Sequence, residues 1–215
     1  MSQAPQCPSA VSSADLAAGL RVEATQESVL AESLISSRQK ILPKRLVAPG
    51  PSPQQTEQLF GAAAAAPDHG ELTPWRFVMV PDGRRADLAD VFAQALMERD
   101  ASATQEQLEA AREKAFRAPW LALAVARLGP RDPDIATPER LVSLGCAIQN
   151  ILLRAHSMSF GSGLTSGQAM TSPPLRSLFG LQPDEQAVCF INVGTVTKRK
   201  APRLRPAPFE FVSSL

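Results

Sequence analysis

Hydrophobic and polar positions alternate along the chain with two recurring periods, one helical and one strand-like. Residues 1–24 are small, polar and weakly periodic. They carry too little apolar area to offset the entropy of ordering, so residues 1–27 are expected to be a flexible extension and residues 28–215 the folded domain. Gln26 to Ile35 puts Val29, Leu30, Leu34 and Ile35 on one side of a short helix. Ser52, Pro53 and Gln55 form a Ser-x-x-Gln capping box with proline at the first helical position, which predicts a helix to about Ala66. Pro67 stops it. Phe77 to Val80 reads as a strand, and residues 84–99 and 104–117 as two amphipathic helices. The unbroken run Leu121 to Ala126 fits a strand buried on both faces.

From Thr137 a helix of about 20 residues is expected, with Leu141, Leu144, Ile148, Ile151, Leu152 and Ala155 recurring at its period. Its apolar character predicts burial all round, at the domain centre or against a second subunit. Gly161 to Gly167 reads as a glycine-rich loop, residues 173–179 as a short helix, and Val188 to Val193 as the last strand. Helices and strands mix without regular βαβ alternation, which favours an α+β fold.

Composition narrows the function. Of 215 residues, 22 are Lys or Arg and 21 Asp or Glu, a net charge of +1, so there is no basic excess of the kind that marks a nucleic-acid partner. Three cysteines, Cys7, Cys146 and Cys189, are far apart and lack metal-ligand spacing. No secretory leader pattern or membrane-length apolar run is read, so a soluble, cytoplasmic protein is expected.

No metal site, nucleophile elbow, dinucleotide fingerprint or phosphate-binding P-loop motif is present. The stretch Ala62 to Val80 carries the richest chemistry. An alanine run leads into a turn with Asp68 and His69, which is one of two histidines. From position alone His69 is either a turn residue or a functional one. His156, inside a helical apolar pattern, reads as a helix histidine without a task. Two basic segments stand out, around Arg38 and Lys40 and over Lys198 to Arg205, where five of eight residues are basic. Arg38 and Lys40 with Lys198, Arg199 and Lys200 would build a phosphate site if folding joins them, and are otherwise solvated patches.

Three segments together resemble the FMN-dependent nitroreductase family, in its small single-domain bacterial branch. They are Ala65-Ala66-Pro67-Asp68-His69-Gly70 with Pro74-Trp75-Arg76-Phe77; Phe116-Arg117-Ala118-Pro119 with the strand after it; and Phe160-Gly161 through Ser166-Gly167, continuing to Ser172-Pro173, Phe179-Gly180 and Asn192-Val193-Gly194-Thr195. The resemblance implies an α+β fold with helices flanking a central mixed sheet, and a swapped homodimer binding FMN at its interface. It implies that Ser37, Arg38, Gln39 and Lys40 occupy the place of an Arg-Arg-Ser-like segment contacting the FMN phosphate and flavin edge. His69 would reach the cofactor of the other subunit. Ala65 stands where some relatives carry a basic residue. Leu164, Thr165 and Ser166 would line the flavin, and Lys198 or Arg199 would close on the phosphate. Lys40, Lys44 or Arg45 could supply positive charge near flavin N1 and O2.

The implied activity is hydride transfer from NAD(P)H through flavin N5 to a small electron-poor acceptor, such as a nitroaromatic or quinone. No catalytic side chain is required for it. Two other readings stay open: an FMN-binding relative that fragments, dehalogenates or stores without reducing nitro groups, and a non-enzymatic protein docking through its basic C-terminal segment.

Overall fold

A computed structural model describes residues 25–129, 132, 134–199, 201 and 204–215. The expected extension therefore lies outside the described residues, apart from its last three. The chain divides into two units, Met1–Ser36 and Ser37–Leu215. In the first, helix α1 (Gln26–Ser37) is capped by Thr25, whose hydroxyl accepts from the Ser28 amide at 3.2 Å. Its expected apolar side leaves Val29, Leu30 and Ile35 exposed.

The second unit is built on five strands among the described residues: β1 (Leu46–Val47), β2 (Trp75–Met79), β3 (Trp120–Arg127), β4 (Gly161–Thr165) and β5 (Glu185–Val196). Their order is β1-β5-β3-β2, with β4 also on β5, and all these pairs are antiparallel. Among the described residues, the parallel contribution is one isolated bridge, Lys40 to Ser162. The helices that accompany the sheet are α2 (Pro53–Ala64), α3 (Arg85–Arg99), α4 (Gln105–Arg112), α5 (Thr137–Ser157) and α6 (Pro173–Leu178).

Strand β3 explains the two-layered core. Side chains alternate across a strand, so Ala122, Ala124 and Ala126 face one side while Leu121, Leu123 and Val125 face the other. The alanine side has room for α2 and the long α5, through Leu59, Ala63, Leu144, Ala147, Ile148, Ile151 and Ala155. The leucine side meets α3 and α6 through Leu88, Val91 and Leu175. Helix α2 begins as expected. Ser52 accepts from the Gln55 amide at 3.2 Å and Gln55 returns the bond at 2.9 Å, which together contribute about 1 kcal/mol. Its seam with α5 is fixed by Asn150 donating to the Ala62 carbonyl at 3.1 Å and Arg154 to Gln58 at 2.9 Å.

The structure corrects several expectations. Gly161 to Thr165 is strand, not loop. Gly163 is required there because a Cβ would lie 2.3 Å from the Ile41 carbonyl oxygen, so glycine serves a close backbone approach rather than a turn. The last strand extends well beyond Val188–Val193, because its polar ends pair with β3 and β1. Within one chain α5 leaves Leu141 39% and Val142 66% exposed, so its burial all round would take a second subunit. In addition, a Cβ built on Gly145 meets nothing within 4 Å. The helix expected over 104–117 divides into α4 and a 3-10 turn, Glu113–Phe116, ahead of Pro119.

Candidate functional site

Where α1 ends, the chain runs alongside the C-terminal end of α5. Ser37 Oγ and His156 Nε2 share a hydrogen bond of 2.8 Å. Burial, then the charges of Arg199 and Arg38, hold the His156 pKa below the ordinary histidine value, so near neutral pH the ring is uncharged. Arg38 is half-buried, and its own pKa is lowered by burial and by Arg205. Arg205 Nη2 donates to the Arg38 carbonyl at 3.1 Å. Folding thus joins the two basic segments at His156. None of Arg38, Arg199 and Arg205 has a carboxylate ion-pair partner among the described residues. Such a cluster of cations without ion-paired carboxylates is a candidate site for a phosphate-like anion.

Next along the chain, Gln39 carries a buried Oε1 without a hydrogen-bond partner, an acceptor in want of a donor. Lys40 bridges to Ser162, and the Ile41 amide donates to the Ser162 carbonyl at 2.9 Å, which ties this segment to β4. Leu42 and Pro43 then enter the wall of a cavity of about 380 Å³. Thr165 and Ser166 line the same cavity. Asn192 Nδ2 fixes Thr165 by donating to its hydroxyl at 3.0 Å and to the Gly163 carbonyl at 3.2 Å. Leu164 packs against the core beside α5. Leu42 lies four positions after Arg38, so cation cluster and cavity wall are at most about 14 Å apart along the chain.

The remaining expected residues lie elsewhere. Lys198 is exposed next to Arg199, and Ala65 is the exposed C-cap of α2. His69 opens a 3-10 turn whose Gly70 has φ 69°. Its Nδ1 meets Glu139 Oε2 at 2.7 Å, and that hydrogen bond and charge raise the His69 pKa. Glu139 is in the first turn of α5 and His156 in the last, 17 residues on, or about 25 Å along the helix. Within one chain His69 and the cation cluster are therefore far apart. Sequence reasoning passed over His156, whose helical period hid its position at a helix end, and gave no role to Arg205 or Asn192. Lys44 and Arg45 form a turn before β1 and do not line the cavity. Among the described residues no group of His, Cys, Asp or Glu is placed to hold a metal ion.

An antiparallel sheet with one long helix, a cation cluster and a nearby cavity gives an α+β domain with a candidate ligand site. Residues 46–195 match the model of the nitroreductase family, and the chain belongs to that family. A Haemophilus influenzae protein provisionally named NAD(P)H nitroreductase is 32% identical over 152 residues, covering 71% of this chain and 82% of that one. Among solved structures, a nitroreductase-like family protein from Bacillus cereus superposes with a TM-score of 0.73 at 17% identity, covering 85% of this chain and 94% of that one. An FMN-dependent nitroreductase from Clostridium difficile gives 0.60 at 16% identity, covering 85% and 97%.

Proposed function

We infer that the chain is an FMN-dependent oxidoreductase that passes hydride from NAD(P)H to a small electron-poor acceptor. The observation that carries this is the uncompensated cation cluster a short span of chain from a cavity. A phosphate joined to a flat ring has that form, so the residues present fit FMN. Arg38, Arg199 and Arg205 would hold the phosphate, with His156 oriented by Ser37. The buried Gln39 Oε1 offers an acceptor for a ring N–H. Thr165 and Ser166, backed by Leu164, would form a wall. When bound, FMN would supply the redox chemistry of hydride transfer between a reduced nicotinamide and the acceptor. The protein binds, orients and excludes water.

The working form is a homodimer. Leu141, Val142 and Gly145 form an exposed stripe on α5, open enough for a second helix to approach closely. In a dimer whose two copies of α5 run antiparallel, His69 of one copy would approach the cation cluster of the other. Ala65 adds no charge there. Among the described residues, two free cysteines, Cys146 and Cys189, suit a reducing cytoplasm. Among the described residues no helix is long and apolar enough to cross a membrane.

The test is reduction of the bound flavin by NAD(P)H, followed by turnover of a nitroarene or quinone. Bleaching of the flavin without turnover would point instead to a relative that binds FMN for another purpose. No binding of FMN would reject the proposal.

A further inference from the structure

The cavity has a charge pattern that the reading above does not use. Its floor is apolar, formed by Phe92, Leu96, Leu121 and Phe190. Three cations line it from separate points of the fold: Arg99 at the end of α3, Lys114 in the 3-10 turn, and Arg117 just before β3. Among the described residues no acidic side chain lines it. None of the three cations forms a carboxylate ion pair among the described residues. Asp100, beside Arg99, spends its hydrogen bonds on Ser102.

We propose that this cavity selects a small aromatic acceptor bearing a carboxylate, with its ring against the flavin and its anion held by Arg99, Lys114 and Arg117. This rests on the flavin reading and names the substrate class for that same site. Three cations on one wall, with only Asp100 as a nearby counter-charge to Arg99, favour an anionic ligand, and a planar guanidinium matches a carboxylate with two parallel bonds. Thr165 adds a donor: its oxygen accepts from Asn192, which leaves its O–H free to point at a ligand. Arg99 and Lys114 are exposed and stay hydrated when the ligand is neutral. Neutral rings are thus tolerated, and anionic ones preferred.

The test uses the protein as purified. Calorimetry compares benzoate with benzamide, and kcat/KM compares para-nitrobenzoate with para-nitrobenzamide, in wild type, Arg99→Gln, Lys114→Gln and Lys114→Glu. The expected result is a carboxylate preference of about tenfold or more, reduced about tenfold in each neutral variant and reversed in Lys114→Glu. Flavin content should not change. Equal binding of benzoate and benzamide by wild type overturns the proposal. It is also overturned if the variants raise the KM for NAD(P)H or shed flavin while leaving the carboxylate preference intact, because the cations then serve a phosphate or the cofactor. A colourless protein defeats the flavin reading separately, and the benzoate arm still decides whether the cavity is an anion site.

Discussion

Glu185 gives the most quantitative test of how the sheet is held. It opens β5 with its side chain 6% exposed, and Arg76 of β2 forks onto both its oxygens at 2.7 Å. The Gln182 amide adds a bond at 3.1 Å, and Arg127 of β3 stands 3.6 Å away. Arg76 also donates to the Phe179 carbonyl at 3.3 Å, so one pair ties three strands to the turn after α6. The Arg76 hydrogen bonds, helped by Gln182 and the charges of Arg76 and Arg127, outweigh burial and pull the Glu185 pKa from 4.5 to about 2.

A carboxyl whose folded pKa is depressed stabilises the fold above its unfolded pKa, and that stability is lost as pH falls through the folded value. The window here runs from pH 4.5 down to about 2, and the gap corresponds to about 3 kcal/mol. Breaking a buried pair by removing one partner costs about 3–5 kcal/mol. Arg76 keeps its carbonyl acceptor in the variant, so Glu185→Gln is expected at the lower end, a fall in Tm of about 6–12 °C for a domain of this size. Urea unfolding of wild type and Glu185→Gln across pH 2 to 7 reads the effect directly. The curves should differ most above pH 5 and converge near pH 2. If they run parallel throughout, the bond network is not what sets the Glu185 pKa and the reasoning fails.

Arg38→Ala removes one charge-assisted phosphate contact and should weaken FMN binding about 10- to 100-fold in a fluorescence titration. Because His156 is held neutral by burial and by Arg199 and Arg38, an arriving phosphate raises its pKa. FMN affinity should therefore rise as pH falls from 8 to 6, and His156→Phe should flatten that dependence. Val142→Asp puts a charge on the exposed stripe of α5; light scattering should show monomer in place of dimer, with FMN lost. Burial pushes the Cys189 thiol up to about 11, so thiol reagents should label it only on unfolding, well after Cys146.

Much of this architecture is legible in the sequence where local chemistry decides it. The Ser52 capping box, the Pro67 stop and the apolar run of β3 each act over a few residues, and each appears where its pattern says. Tertiary contacts decide the rest. Gly161 and Gly163 carry the signature of a loop, yet they serve the passage of residues 40–46 against β4, which no local pattern reveals. The residues of α5 look uniformly buried because leucine and valine are read the same way whether they face the core or, as with Val142, outward. The two basic segments are legible singly, but His156, the residue on which they converge, has no sequence signal beyond lying at a helix end.

The central claim is that this fold holds FMN through a phosphate on the cation cluster around Arg38. Its most direct measurement is the flavin spectrum and stoichiometry of the purified protein, repeated after adding FMN and, in parallel, riboflavin, which lacks the phosphate. The account predicts a yellow protein with one FMN per chain that binds riboflavin far more weakly. A colourless protein that takes up neither, or one that binds both equally well, would contradict it.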